Sequence, residues 1–312
     1  MRKVWWNGKL IHESDARVSI YDSALMYGDV AFEMTRSFNK KQFKLIEHLH
    51  RLLASCKYLH IPLKMTLDEL RVACYEVIEA NELNMQPDDE HRLMINVTRG
   101  LLGTYADVDI PKGVNVIVAD FPLRWTTAGM GRLFDIGVNC VIPSQRAIPA
   151  VLLDPKVKNR NRIHYLMGNI EVSQVKGDNN WALFLDPDGY ITEGAGCNFF
   201  ITKCGIVITP EGRNILRGIS RDYIKSICAY FVEKNIEPYD VLEADEAFVS
   251  ATPFCMIPVT SINGVPIGDG RVGHTYNTLL ERWSENVGVD IKAQIQSWDK
   301  GSTGGTTPYQ FR

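Results

Sequence analysis

The stretch from Lys156 to Phe200 constrains the fold more than any other part of the chain. Behind Pro155 it opens on a basic run, Lys156-Val157-Lys158-Asn159-Arg160-Asn161-Arg162, and passes through Ile163-His164-Tyr165 into an amphipathic helix. It returns through the strand-like Trp181-Ala182-Leu183-Phe184-Leu185-Asp186, turns at Pro187-Asp188-Gly189, and ends in Thr192-Glu193-Gly194-Ala195-Gly196-Cys197-Asn198-Phe199-Phe200. A lysine and a tyrosine are thereby expected at the head of one helix. After a single hairpin, an acid enters a glycine-rich strand. A helix running through both Lys158 and Tyr165 would return them to the same side two turns apart.

The flanking sequence divides into two domains. Val4-Trp5-Trp6, Asn7-Gly8 and Lys9-Leu10-Ile11 form a hairpin signal. Alternation over Phe32, Met34 and Arg36, a turn at Asn39-Lys40-Lys41 and a return through Phe43-Lys44-Leu45 repeat it. Helices are expected over 47–58, stopped by Pro62, and over 67–83, started by Thr66-Leu67-Asp68-Glu69. Strands follow over 93–98 and 114–121, so residues 1–122 read as a small α+β domain. Residues 123–135, with Gly129 and Gly131 and little periodicity, read as an interdomain loop. The second domain, 136–290, is expected to hold strands at 136–142, 206–209, 236–241, 248–251 and 257–262, and helices at 219–234 and 275–286. Residues 291–312 are expected to be a tail, and Lys300 to Pro308 is low in complexity.

Composition narrows the class. With 34 basic against 37 acidic residues the formal charge is −3, which argues against nucleic acid as a partner. Seven scattered cysteines show no metal-ligand spacing, and the Met1–Trp6 start lacks the apolar core of a signal peptide, so no metal is expected and a cytoplasmic location is. No apolar run reaches the roughly 18 residues of a membrane span.

The order of seven short blocks carries more. Tyr27-Gly28-Asp29-Val30-Ala31-Phe32-Glu33, Glu47-His48-Leu49-His50-Arg51-Leu52, Val97-Thr98-Arg99-Gly100, the Lys158 block, Glu193-Gly194-Ala195-Gly196-Cys197-Asn198, Gly218-Ile219-Ser220-Arg221 and Ala244-Asp245-Glu246-Ala247-Phe248 succeed one another along the chain. In this order they resemble the fold type IV pyridoxal phosphate enzymes, the class IV aminotransferase family of branched-chain amino-acid aminotransferases, D-amino-acid aminotransferases and aminodeoxychorismate lyases. The resemblance implies an α+β fold with a small N-terminal α/β sandwich and a larger, barrel-like C-terminal domain that binds pyridoxal 5′-phosphate. It also implies at least a homodimer.

Site residues follow from the same resemblance. Lys158 would form the Schiff base and act as the proton-moving base, with cationic neighbours favouring its neutral amine. Lys156 is the alternative if the register shifts by two, and on composition alone the run is a solvated basic face. The Tyr165 hydroxyl would meet the cofactor's phenolic oxygen, and Glu193 would keep the pyridine nitrogen protonated. Arg51, the amides of Ile219 and Ser220 at a helix start, and the Thr252 hydroxyl would take the phosphate. Arg217 stands where the family usually has proline.

The substrate is harder to read. By resemblance Tyr27, Phe32, Arg36, Arg99 and Tyr105 would line the pocket, with the interdomain loop closing over it. Met34 replaces a glycine usual in branched-chain enzymes. Pro253, in the turn that would offer two N–H groups to the substrate carboxylate, has none to give. Carboxylate recognition is therefore expected to shift to Arg36 and Arg99. The expected activity is transfer of an amino group from an amino acid, branched-chain-like, to a 2-oxo acid. An aminodeoxychorismate-type lyase, favoured by the Lys158–Arg162 pattern and disfavoured by Glu33, is the alternative, followed by a D-amino-acid or (R)-amine transaminase.

Overall fold

The computed structural model describes residues 1–109, 111–177 and 179–299. They form two compact units, Met1–Trp125 with Val157–Arg162, and Thr126–Lys156 with the residues from Ile163 on.

In the first unit the hairpin β1 (Lys3–Trp6) and β2 (Lys9–His12) forms as expected, with Asn7 and Gly8 at φ +46° and +91°. After a short helix α1 (Ser23–Tyr27) come β3 (Val30–Met34) and the small hairpin β4 (Ser37–Phe38) and β5 (Lys41–Gln42). The expected return through Phe43–Leu45 is thus shorter, because Asn39 and Lys40 take the positive φ of a tight turn and Leu45 already starts α2 (Leu45–Tyr58). Helix α3 (Leu67–Asn81) carries a full capping box from Thr66 and Glu69. With β6 (His91–Thr98) and β7 (Asn115–Pro122) the sheet order is β2-β1-β7-β6-β3. Leu49 and Leu52 of α2, Leu70 and Val77 of α3, and Leu93, Ile95 and Val118 of the sheet build one core, each fully shielded from water.

Residues Val157–Arg162 join this unit by strand-like pairing, not through a helix. Phe32 N donates to the Lys158 carbonyl and Arg160 N to that of Val30, and Asn159 bridges Ala31. Lys158 therefore sits on extended chain. The expectation that Lys158 and Tyr165 share a helix is corrected, because the helix begins only at Ile163.

Where a loop was expected, the chain makes two one-turn helices, α4 (Arg124–Thr127) at the boundary and α5 (Leu133–Ile136) in the second unit. The second unit holds β8 (Val138–Val141), α6 (Ile163–Val172), β9 (Asn180–Leu185), β10 (Ile191–Gly194), β11 (Asn198–Lys203) and β12 (Ile206–Pro210). Helix α7 (Ile219–Ile227) ends at Cys228, and Phe231–Lys234 is strand β13, parallel to β12 and not the last turns of a helix. Residues 236–241 are not a strand either. Pro238 at the first turn and a Glu237–Asp240 capping box start α8 (Pro238–Leu242). Strands β14 (Glu246–Ala251), β15 (Cys255–Ile262) and β16 (Val265–Pro266) follow, then α9 (His274–Val287) and α10 (Ile291–Trp298). The expected tail thus opens as a helix, capped by Asp290 and anchored by buried Ile291, Ile295 and Trp298. The low-complexity run and the aromatic residues beyond it lie outside the described residues.

The large sheet runs β10-β9-β8-β15-β14-β11-β12-β13, and a further pairing of β10 with β11 closes six strands into a ring. The residues that close it are Glu193 and Asn198. Among the described residues no helix is long and apolar enough to cross a membrane.

Candidate active site

In the first unit the Lys158 main chain is held on both sides, its N–H donating to Ser55 Oγ (3.1 Å) on α2 and its carbonyl accepting from Phe32. The Phe32 ring lies under three cations, Lys158 Nζ at 4.8 Å and the guanidinium carbons of Arg160 and Arg162 at 3.7 and 5.9 Å. Asn96 Oδ1 accepts from Nε and NH2 of Arg160 and fixes that guanidinium on the ring. Lys156, the alternative lysine, is engaged elsewhere, with Asp154 at 2.8 Å and the Arg213 carbonyl.

On the other face of β3, Glu33 is wholly buried. Arg51 reaches it with two parallel bonds, Nε to Oε1 at 2.6 Å and NH2 to Oε2 at 2.9 Å, and His48 Nδ1 meets Oε2 at 2.7 Å. Burial alone would raise the Glu33 carboxyl, but the charge of Arg51 and the hydrogen bonds from His48 and Arg51 outweigh it and hold the group well below the usual carboxylate range. Burial also dominates at His48 and lowers it against the pull of Glu33, so the imidazole is neutral at pH 7. Neither Glu33 nor His48 stood among the expected site residues. Alternation along β3 turns Glu33 away from Phe32, but nothing local shows that helix α2 brings a guanidinium and an imidazole to it.

Both candidate pocket arginines make contacts within the protein. Arg99 is committed to Asp29 in a paired bridge (2.6 and 3.2 Å) and to the carbonyls of Leu59 and His60, which occupies Nε and both terminal nitrogens. Arg36 is fully buried, stacked on Phe38 at 3.8 Å and donating from Nε to the Ser37 carbonyl. Tyr27, 65% exposed, ends α1, and Tyr105 rests its ring 5.1 Å from that of Tyr21.

In the second unit the site is built around the ring closure. Glu193 is buried, and Tyr165 Oη (2.9 Å), Asn198 Nδ2 (2.9 Å) and the Leu216 N–H (3.1 Å) donate to its carboxylate. The Tyr165 hydroxyl thus donates to the acid in this structure. Phe184, edge-on at 5.0 Å, holds the tyrosine ring. Asn198 also donates to the Leu216 carbonyl, and a Cβ on Gly218 would lie 2.0 Å from its Oδ1, so only glycine lets the start of α7 approach so closely. This asparagine was visible in the quoted block, but its link to Glu193 was not. Gly218 caps α7 without a side-chain bond, which suits the first-turn N–H groups of Ile219 and Ser220 to donating to an anion. Ser250, paired with Asn198 across β14 and β11, has a buried Oγ with no hydrogen-bond partner. Thr252 and Pro253 form the following turn, with Cys255 at φ +63°.

A buried acid held by three donors, an orphaned buried hydroxyl and an uncapped helix start fit pyridoxal phosphate by their chemistry. No group of three or more His, Cys, Asp or Glu among the described residues could hold a metal ion. A cavity of about 930 Å³ in the first unit, lined by Trp5, Met65, Val72 and Val114, contains none of these residues, so chemistry and not cavity size locates the site.

Fold and site together define a pyridoxal phosphate-dependent enzyme of fold type IV. Residues 30–262 match the model of the amino-transferase class IV family, and the chain belongs to that family. A Methanocaldococcus jannaschii protein, provisionally named a branched-chain-amino-acid aminotransferase, is 31% identical over 303 residues, covering 96% of this chain and 100% of that one. The Escherichia coli K12 branched-chain-amino-acid aminotransferase is 31% identical over 280 residues, 86% of this chain and 88% of its own. Among solved structures, the E. coli branched-chain enzyme superposes with a TM-score of 0.80 at 28% identity, covering 91% and 94% of the two chains. The Thermoproteus uzoniensis branched-chain aminotransferase, solved with norvaline, gives 0.78 at 25% identity, over 95% and 97%.

Proposed function

We propose that the protein is a branched-chain-type aminotransferase that moves the amino group of an L-amino acid such as leucine to a 2-oxo acid. Near-full-length similarity to branched-chain enzymes is the single observation that carries this reading. Bound pyridoxal phosphate supplies the electron sink that stabilises negative charge on the substrate's α carbon. Lys158, pinned by Ser55 and Phe32, holds the cofactor and takes the proton from that carbon. Glu193, oriented by Tyr165, Asn198 and Leu216, keeps a proton at the pyridine nitrogen. Arg51, the amides of Ile219 and Ser220, and the hydroxyls of Ser220 and Thr252 take the phosphate.

Arg99 and Arg36 being committed elsewhere, the role of carboxylate donor falls to Arg160, half-buried and held on the Phe32 wall by Asn96. We further propose at least a homodimer, which sedimentation of the purified protein tests. The activity is tested with single amino donors: L-leucine, L-glutamate, D-alanine, an aromatic (R)-amine and aminodeoxychorismate. Turnover with L-leucine, lost in Lys158→Ala, is expected. Pyruvate released from aminodeoxychorismate, without transfer from leucine, would replace this reading by the lyase.

A further inference from the structure

We infer that Glu33 and His48 are positioning residues that aim the Arg51 guanidinium at the cofactor's phosphate. This rests on the reading of Arg51 as a phosphate donor and says how that donor is set. Glu33 lies within β3 with no exposed surface, where an uncompensated carboxylate would cost several kcal/mol. Arg51 compensates it through Nε and one terminal nitrogen, so the plane of the guanidinium and the direction of its remaining N–H groups are fixed by β3 and not by its flexible stem. His48 stands one turn earlier on the same face of α2 and closes on Oε2 from the other side.

The charges point the same way. A neutral His48 leaves Arg51 and Glu33 as a pair with no net charge, so the cluster offers direction and not a positive field. His48 Nε2 is buried without a hydrogen-bond partner, a cost that persists where a side chain is held for more than local structure. Charge and orientation therefore predict opposite results when Glu33 loses its charge. If net charge attracted the phosphate, Glu33→Gln would tighten binding by freeing the Arg51 cation. If orientation matters, the same change weakens it.

The test titrates cofactor-free protein with pyridoxal phosphate and with unphosphorylated pyridoxal, following intrinsic fluorescence, and takes the ratio of the two dissociation constants as the phosphate preference. Glu33→Gln is expected to cut that preference about tenfold or more while moving pyridoxal affinity less than about threefold. Glu33→Asp keeps the charge but withdraws the carboxylate from Arg51. It serves if the glutamine variant fails to fold, and is expected to shift the preference in the same direction. Arg51→Ala is expected to cut it at least as far, the other donors keeping part of it. A preference unchanged or increased in the Glu33 variants, but cut in Arg51→Ala, overturns the inference and leaves Arg51 as a phosphate donor. A preference undiminished in Arg51→Ala overturns both.

Discussion

Glu33 and Glu193 are both buried strand glutamates, yet their surroundings are opposite. Glu33 is met by the Arg51 guanidinium and a histidine, whereas hydrogen bonds to Glu193 come from a phenol, an amide and a main-chain N–H. The first acid has its countercharge built in and acts on the orientation of a neighbour. The second accepts hydrogen bonds from three neutral donors, which set its direction. Burial alone distinguishes neither role; the chemistry of the donors does.

The largest expected effect separates them by activity. In Glu193→Gln the amide oxygen keeps the bonds from Asn198 and Leu216 and its NH2 donates to Tyr165, so folding stability should change by no more than about 1 kcal/mol. It cannot hold a proton on a ring nitrogen, and kcat should fall about 10²–10⁴-fold. Glu33→Ala should show the reverse weighting. Arg51 is left without its carboxylate, and urea unfolding of the cofactor-free protein should show a loss of about 3–5 kcal/mol. Equal stability losses in the two variants would erase the contrast.

Gly218→Ala probes the Glu193 arrangement through its support. A Cβ driven against Asn198 should cost about 1–3 kcal/mol of stability and lower kcat with it, because Asn198 is displaced from the acid. A variant that loses stability while kcat stays constant would show that Asn198 does not orient Glu193.

The smallest effect sharpens the contrast with a third buried cluster. His91 lies between Asp120 (2.9 Å) and Glu82 (2.6 Å). Burial would lower its imidazole, but the bonds and charges of Asp120 and Glu82 outweigh burial and raise it above the ordinary histidine value. The stabilisation is therefore full below the unfolded value of about 6.5 and fades as pH rises through the raised folded one. The melting-temperature gap between wild type and His91→Gln should shrink from pH 6 to pH 9. The gap for Glu33→Ala should stay constant over that range, because the Glu33 carboxyl titrates far below it.

Local signals in the sequence were read correctly where the chain pairs with its own neighbours. The Asn7-Gly8 turn, the Thr66 capping box and the hairpin around Asp188-Gly189 all depend on residues a few positions apart. Where a distant partner decides, the reading failed. Lys158 looks like the start of a helix until β3 pairs with it, and Phe231–Lys234 continues a helical pattern until β12 claims it as a parallel strand. Residues 236–241 failed differently, since the Glu237-Pro238 start and Asp240 were legible as a helix cap. Among site residues, Lys158 and Glu193 followed from the resemblance. Arg99 could not be judged without Asp29 and the two carbonyls it holds, nor Glu33 without α2.

The most direct measurement is the visible absorption spectrum of the protein reconstituted with pyridoxal phosphate, before and after one equivalent of L-leucine with no acceptor present. A band that shifts to the pyridoxamine form in the wild type, and that neither forms nor shifts in Lys158→Ala, is the predicted result. A leucine-driven shift that persists in Lys158→Ala, or a wild-type spectrum indifferent to leucine, would contradict the account.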